Sequence, residues 1–258
     1  MSFSGKVALI TGAAQGFGKA FSEVLLKRGA NVCVADIKVQ TGEATVSSFQ
    51  QQYSKDRAFF AKCDVTQEND IKATFDAVKK QYGRLDLVIN NAGIADEGAW
   101  NKMIDINLKG VVMGSQYAVE ALRRDKGGNG GLVINVSSAA GLTPVYITPV
   151  YAASKFGVVG FTRSWADNPR LESMGVSFCC FCPTFADTEI MKGVDDGKKS
   201  LYADDARELV KMLGVMSVKE VVDAFEQLLD LPDKNGVIVT VTKRNGINIK
   251  TPNMTNKL

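Results

Sequence analysis

Thr11-Gly12-Ala13-Ala14-Gln15-Gly16-Phe17-Gly18 decides the fold, because it sets three glycines between a short apolar run at 7–10 and a stretch with helical periodicity. In that stretch Phe17, Phe21, Val24 and Leu25 recur at i, i+4, i+7 and i+8, one face of a helix, and Gly29 stands where the helix should stop. Glycines at such a strand-to-helix turn let the backbone approach a pyrophosphate closely. The helix N-terminus adds unpaired amides and the positive end of its dipole. A glycine-rich turn in isolation says little, but in this position it predicts a nucleotide site.

Outward from the turn, apolar runs at 32–35, 59–61, 87–90, 132–136, 176–181 and 237–241 alternate with helix-length amphipathic stretches. With 7–10 they imply seven strands. The runs are continuously apolar and most lie about 20–40 residues apart, the pattern of parallel strands buried on both faces and joined by helical crossovers. This predicts an α/β, doubly wound, Rossmann-type seven-stranded parallel sheet in a single domain spanning 1–258. Ser217 and Glu220 form a capping box ahead of Val221, Val222, Phe225, Leu228 and Leu229. Residues 189–214 are the least regular part, and a substrate lid is expected there.

Composition removes several classes of function. The 258 residues contain no histidine, which excludes serine–histidine hydrolases, cysteine–histidine proteases and His-ligated zinc; no metal site is expected. The net charge of +3 is dispersed, so nucleic acid is not an expected partner. No apolar run is long enough for a membrane span, and residues 1–6 run directly into a strand, so an intracellular, cytoplasmic protein is expected. The tail Asn256-Lys257-Leu258 is a loose variant of a peroxisomal address and reads more simply as a polar tail. Cys33, Cys63, Cys179, Cys180 and Cys182 all fall in strand-like segments and are read as reduced core thiols, the C-x-x-C spacing of Cys179 and Cys182 included. The sequons at Asn135 and Asn253 carry no weight.

Asp36 ends the second strand, where a carboxylate can accept hydrogen bonds from both hydroxyls of an adenosine ribose and would repel a 2′-phosphate. Lys38 is the one cation nearby, so NAD is favoured over NADP. Asp64 and Asn90-Asn91-Ala92-Gly93 follow the third and fourth strands at the edge where ligands lie in open α/β sheets. Tyr151 and Lys155 share a helix face at i and i+4, and Ser137 and Ser138 close the fifth strand on that edge.

Taken together, the turn 11–18, Asn90-Asn91-Ala92-Gly93, Asn107, Ser138 and Tyr151 with Lys155 resemble the motifs of the short-chain dehydrogenase/reductase family, in order and spacing, over essentially the whole chain. The resemblance implies an enzyme oxidising a secondary alcohol with NAD. Tyr151 would be the general base, Lys155 would lower its pKa and bind the nicotinamide ribose, Ser138 would hold the substrate oxygen, and Asn107 would support a proton-relaying water. An ordinary tyrosine titrates near pH 10, so operating near neutrality needs about 4 kcal/mol of differential stabilisation. By the same carry-over Gly12, Gln15, Gly16, Phe17, Gly18, Asp36, Ile37, Cys63, Asp64, Val65, Asn91, Ala186 and Thr188 line the cofactor, with Tyr151 and Lys155. The family commonly pairs through the tyrosine helix, where Val158, Val159, Phe161 and Trp165 occupy more than one face, so a homodimer or homotetramer is expected.

The chain resembles most the branch that oxidises lipid-like secondary alcohols, and its departures fall in the substrate half. Thr148 stands where that branch carries a substrate-binding glutamine, Met212 and Leu213 stand where its lid carries an aromatic pair, and Pro183-Thr184 replaces Pro-Gly. A hydrophobic, allylic secondary alcohol is therefore the expected substrate. A terpenoid or steroid alcohol is the alternative, and a silent NAD-binding scaffold a distant one that Ser138, Tyr151, Lys155 and Asn107 argue against.

Overall fold

The computed structural model describes residues 2–191 and 199–251. Along the chain come β1 (Val7–Thr11), α1 (Gly16–Lys27), β2 (Asn31–Asp36), α2 (Val39–Gln52), β3 (Ala58–Lys62), α3 (Glu68–Tyr82), β4 (Leu87–Asn90) and α4 (Trp100–Ile104). They are followed by α5 (Gly110–Leu122), β5 (Gly131–Val136), α6 (Pro149–Ala166), α7 (Leu171–Met174), β6 (Val176–Pro183), α8 (Ala203–Leu213), α9 (Val218–Asp230), β7 (Ile238–Thr242) and β8 (Gly246–Lys250). The sheet order is β3-β2-β1-β4-β5-β6-β7-β8, parallel from β3 to β7. Strand order reverses between β1 and β4, which opens the crevice where doubly wound folds take ligands.

Two faces of packing explain the continuously apolar strands. On one, Ala8, Ile10, Val32, Val34 and Phe181 meet α1 and α9 through Phe21, Leu25, Phe225 and Leu228. Phe21 stacks on Phe225 with centroids 4.1 Å apart and stands edge-on to Phe181 at 5.6 Å. Full burial of each such side chain contributes about 1.5–3 kcal/mol. On the other face, Leu9, Cys33, Val88 and Phe178 meet Val78 of α3 and Val119 and Leu122 of α5. All five cysteines are free and buried.

The strand count needs correction, since the sheet has eight strands and not seven. β8 pairs antiparallel with β7 through the short turn 243–245, with Asn245 ending the turn and Gly246 opening the strand. Gly-Ile-Asn-Ile-Lys alternates polar and apolar because only one face of this edge strand is covered, so it lacks the continuous apolar run of its neighbours. Residues 203–213 are also helical, within the segment read as least regular. The capping box at Ser217 and Glu220 is present.

Behind the sheet's carboxyl edge lies a buried polar group. Asn90 Nδ2 donates to Asn135 Oδ1 at 2.8 Å and to Ser115 Oγ at 3.1 Å, and Asn135 Nδ2 donates to Thr162 Oγ1 at 2.9 Å. Asn135, the sequon residue, is wholly buried. Of the α6 side chains that suggested a partner surface, Val158 and Val159 are core residues and Trp165 stacks on Phe178 at 5.3 Å. Asn253 and the 256–258 tail lie outside the described residues, and no described helix is long and apolar enough to cross a membrane.

Candidate active site

A cleft of about 800 Å³ runs along the carboxyl ends of β1 to β4. Gly12 has φ +64°, and a Cβ there would lie 2.7 Å from Ala92 Cα; at Gly18 it would lie 2.4 Å from the Gly12 carbonyl oxygen. The turn is therefore held close to the β4 loop by the absence of side chains. Asn91 Nδ2 donates to the Thr11 and Gly12 carbonyls at 2.9 and 3.1 Å, and Thr11 Oγ1 accepts from the amides of Asn91 and Ala92. Gln15 is the N-cap of α1 and makes no side-chain cap, so the first amides of that helix remain free of a side-chain acceptor.

Asp36 closes the far end of the cleft. Its Oδ2 accepts from Ala14 N and its Oδ1 from Lys38 N, both at 2.9 Å. One lone pair on each oxygen stays available beyond these contacts. The expected cofactor residues all line the cleft except Gly18, Tyr151, Lys155 and Ala186. Gly18 and Ala186 are buried, Ala186 in a bridge to Met216. Asp64 Oδ1 accepts from the Thr66 amide and hydroxyl at 3.0 and 2.8 Å.

At the Gly93 end the second group assembles. Ser138 follows β5 and Tyr151 and Lys155 stand in the first turns of α6. The buried Lys155 Nζ donates to the Val136 carbonyl at 3.1 Å and lies 5.7 Å from the centre of the Tyr151 ring. Its nearness to Gly93 places it behind the cleft wall, 3.5 Å from where a Cβ on that glycine would be. Burial pushes the Lys155 ammonium down to about 8, and the thiols of Cys180 and Cys182 pull it slightly back. Burial pushes the Tyr151 phenol up, against the hydrogen bond of Ser138, which pulls it down. The Lys155 ammonium faces the Tyr151 ring and the Val136 carbonyl.

Asn107 lies in a π-helical turn, Asp105–Lys109, between α4 and α5. Its Oδ1 accepts from Ile94 N at 2.9 Å, and its Nδ2 donates to Ile94 O at 2.8 Å and Ser154 Oγ at 3.3 Å. Both amide hydrogens are therefore committed. Thr148 is the N-cap of α6, yet its hydroxyl caps no amide. Thr184 donates its amide to the Val241 carbonyl at 3.0 Å and does not adopt positive φ, so replacing glycine there causes no backbone strain.

Met212 is 64% exposed and Leu213 half-buried. The face that α8 turns to the 139–148 loop carries Ala206, Leu209 and Val210, which pack with Ile147 and Val145. Met212 falls off that i, i+3, i+4 stripe. Sequence reading missed the segment 94–106, which includes α4 and much of which lines the cleft, and Glu97, whose carboxylate meets the start of α6.

Residues 6–199 match the family model described as short chain dehydrogenase. The chain belongs to the short-chain dehydrogenase family. This short-chain dehydrogenase is 37% identical over 254 residues to the 15-hydroxyprostaglandin dehydrogenase [NAD(+)] of Rattus norvegicus, covering 97% of this chain and 96% of the relative, and equally so to that of Homo sapiens. Among solved structures it is similar to levodione reductase, with TM-score 0.81 and 25% identity over 93% of this chain and 97% of that one.

Proposed function

We propose that this short-chain dehydrogenase oxidises a hydrophobic, allylic secondary alcohol to its ketone with NAD, Tyr151 taking the alcohol proton. The observation that supports the proposal is the grouping of Ser138 and Lys155 around Tyr151, with Lys155 behind the Gly93 wall of a cleft that Asp36 lines at its far side. The cleft fits a dinucleotide, since the glycine turn and the uncapped start of α1 suit a pyrophosphate and the remaining lone pairs of Asp36 suit a ribose diol. The 15-hydroxyprostaglandin relatives bear NAD(+) in their names.

In this reading bound NAD would supply the acceptor for the hydride of the carbinol carbon and the positive charge of a nicotinamide ring. Ser138 holds the substrate oxygen beside Tyr151, and Tyr151 accepts the hydroxyl proton. Lys155 would donate to the ribose hydroxyls of the nicotinamide half, and its ammonium, beside the Tyr151 ring, would favour the phenolate. With its amide hydrogens committed, Asn107 shapes the π-turn, and a relay water is held by main-chain atoms there. The whole chain, 1–258, acts as one cofactor-binding and catalytic domain with 189–214 as its lid. The uncommitted Thr148 hydroxyl faces the substrate in this reading.

Asp36 decides the cofactor. Asp36→Ala is expected to lower kcat/KM with NAD by about 10- to 100-fold and to narrow the gap to NADP, through loss of charged hydrogen bonds and of repulsion together. Steady-state kinetics with both cofactors check it; wild-type efficiency equal with NADP would show that Lys38 overrides the carboxylate.

Substrate choice is tested with a prostaglandin E-type alcohol, a 17-hydroxysteroid and a monoterpenoid secondary alcohol, by NADH absorbance, in wild type and Thr148→Gln. An amide donor or acceptor missing at a buried substrate oxygen costs about 1–3 kcal/mol, or about 5- to 150-fold in efficiency. Thr148→Gln is expected to raise efficiency selectively for the prostaglandin. An unchanged ranking would remove Thr148 from the pocket.

A further inference from the structure

The amino end of α6, where Tyr151 sits in the first turn, is closed from outside the helix. Thr148 is the N-cap and makes no side-chain bond, and Pro149 has no N–H to satisfy. The next two amides donate to the two oxygens of one carboxylate: Val150 N to Glu97 Oε2 at 3.1 Å and Tyr151 N to Glu97 Oε1 at 2.8 Å. Glu97 is 8% exposed and belongs to the 3₁₀ turn Glu97–Ala99, itself capped by Asp96. The positive end of the helix dipole and two N–H groups balance its charge.

The main chain of Glu97 makes a third connection. Its N–H donates to the Lys199 carbonyl at 3.0 Å, and Leu201 N donates to the Ile147 carbonyl at 3.0 Å. The segment at 199–201, which leads into α8, is thereby seated on both the Glu97 turn and the loop that ends at Thr148. Three parts of the site mouth meet at one residue: the cleft loop after β4, the start of the lid helix, and the turn that carries Tyr151.

We infer that Glu97 is a positioning residue for the reaction: it acts through the Tyr151 main chain, fixing the first turn of α6 so that the phenolic oxygen stays against Ser138, and it ties that turn to the 199–201 segment. The inference rests on the reading of Tyr151 as proton acceptor. First-turn amides have no acceptor within their helix, so without Glu97 the turn is free to fray. A reacting group displaced by about 1 Å costs about 100-fold in rate.

The decisive variant is Glu97→Gln, which keeps the shape and one acceptor oxygen but sets an NH₂ group against the other amide. The readouts are kcat per NADH-binding site with the most rapidly oxidised of the three alcohols above, NADH affinity by fluorescence, and the deuterium isotope effect at the carbinol carbon. A fall in kcat of about 10- to 100-fold is expected, with NADH affinity within about 2-fold and a larger isotope effect. Glu97→Asp, which keeps the charge, should recover part of the loss, and it serves as the test if the glutamine variant does not fold. Wild-type kcat per site with only a lower Tm overturns the inference, as does an equal loss of NADH affinity. Activity retained by Tyr151→Phe would instead sink the reading of Tyr151, so the two failures are distinguishable.

Discussion

Tyr151→Phe is expected to lower kcat by about 10²- to 10⁴-fold, the range set by loss of a positioned acid–base group, while leaving NADH affinity within about 2-fold. The substitution removes one oxygen, and the ring keeps its place because the Tyr151 main chain is held by Glu97 and its helix. The oxygen that is lost is the one proposed above to accept the alcohol proton. Rapid-mixing kinetics on protein whose NADH stoichiometry has been titrated separate the loss of chemistry from the loss of folded sites. More than about one-tenth of wild-type kcat in such a preparation contradicts the role, since the lower bound for acid–base catalysis is about 100-fold.

Lys155→Met is expected to lower kcat/KM by about 10³-fold and yet to preserve or raise Tm. Burial moves the ammonium from 10.5 to about 8, so at neutral pH the folded chain carries the charged form at a cost on the order of 3 kcal/mol. Methionine fills similar space without that cost, while the Val136 carbonyl loses its donor, worth about 1–3 kcal/mol. The remainder corresponds to a few degrees at most in a chain of this length. The pH dependence gives the sign. Between pH 8 and 10.5 the unfolded chain keeps a proton on Lys155 that the folded chain has lost, so this residue makes wild-type stability rise with pH through that window. The methionine variant should lack that rise. A drop in Tm beyond about 5 °C, or an unaltered pH slope in denaturant titrations, would show that the lysine's contacts outweigh its desolvation.

The parallel strands were legible because burial on both faces leaves a continuous apolar run, as in β1, where every residue from Val7 to Thr11 is buried. β8 escaped that criterion because one of its faces is exposed; alternation with Asn245-Gly246 at its start was the signal available. The glycine turn, Asp36, Tyr151 and Lys155 were legible because each is tied to a strand end or a helix turn by short spacing. Glu97 was not, since it meets Tyr151 across 54 residues and nothing local distinguishes it from a surface glutamate. Met212 is apolar by type yet lies off the buried stripe of α8, a difference of helix face that residue type does not give. The raised phenol of Tyr151 depends on burial and on where an ammonium points, and neither can be read from spacing.

The buried asparagine pair at the ends of β4 and β5 bears on how the chain finds its alignment. A parallel sheet covered on both faces has no solvent side to penalise a slipped strand, and Leu-Val-Ile against Leu-Val-Ile would bury almost as well one residue out of step. Asn90 opposite Asn135 breaks that degeneracy, because only the native pairing brings their amides together. A slip strands each amide in the interior at about 1–3 kcal/mol apiece. The rung lies one residue before Asn91 and two before Ser137, so the mark that sets the strands in step also sets the cofactor edge against the catalytic edge. Misaligned folding intermediates would thus be selected against by the same contact that gives the site its dimensions.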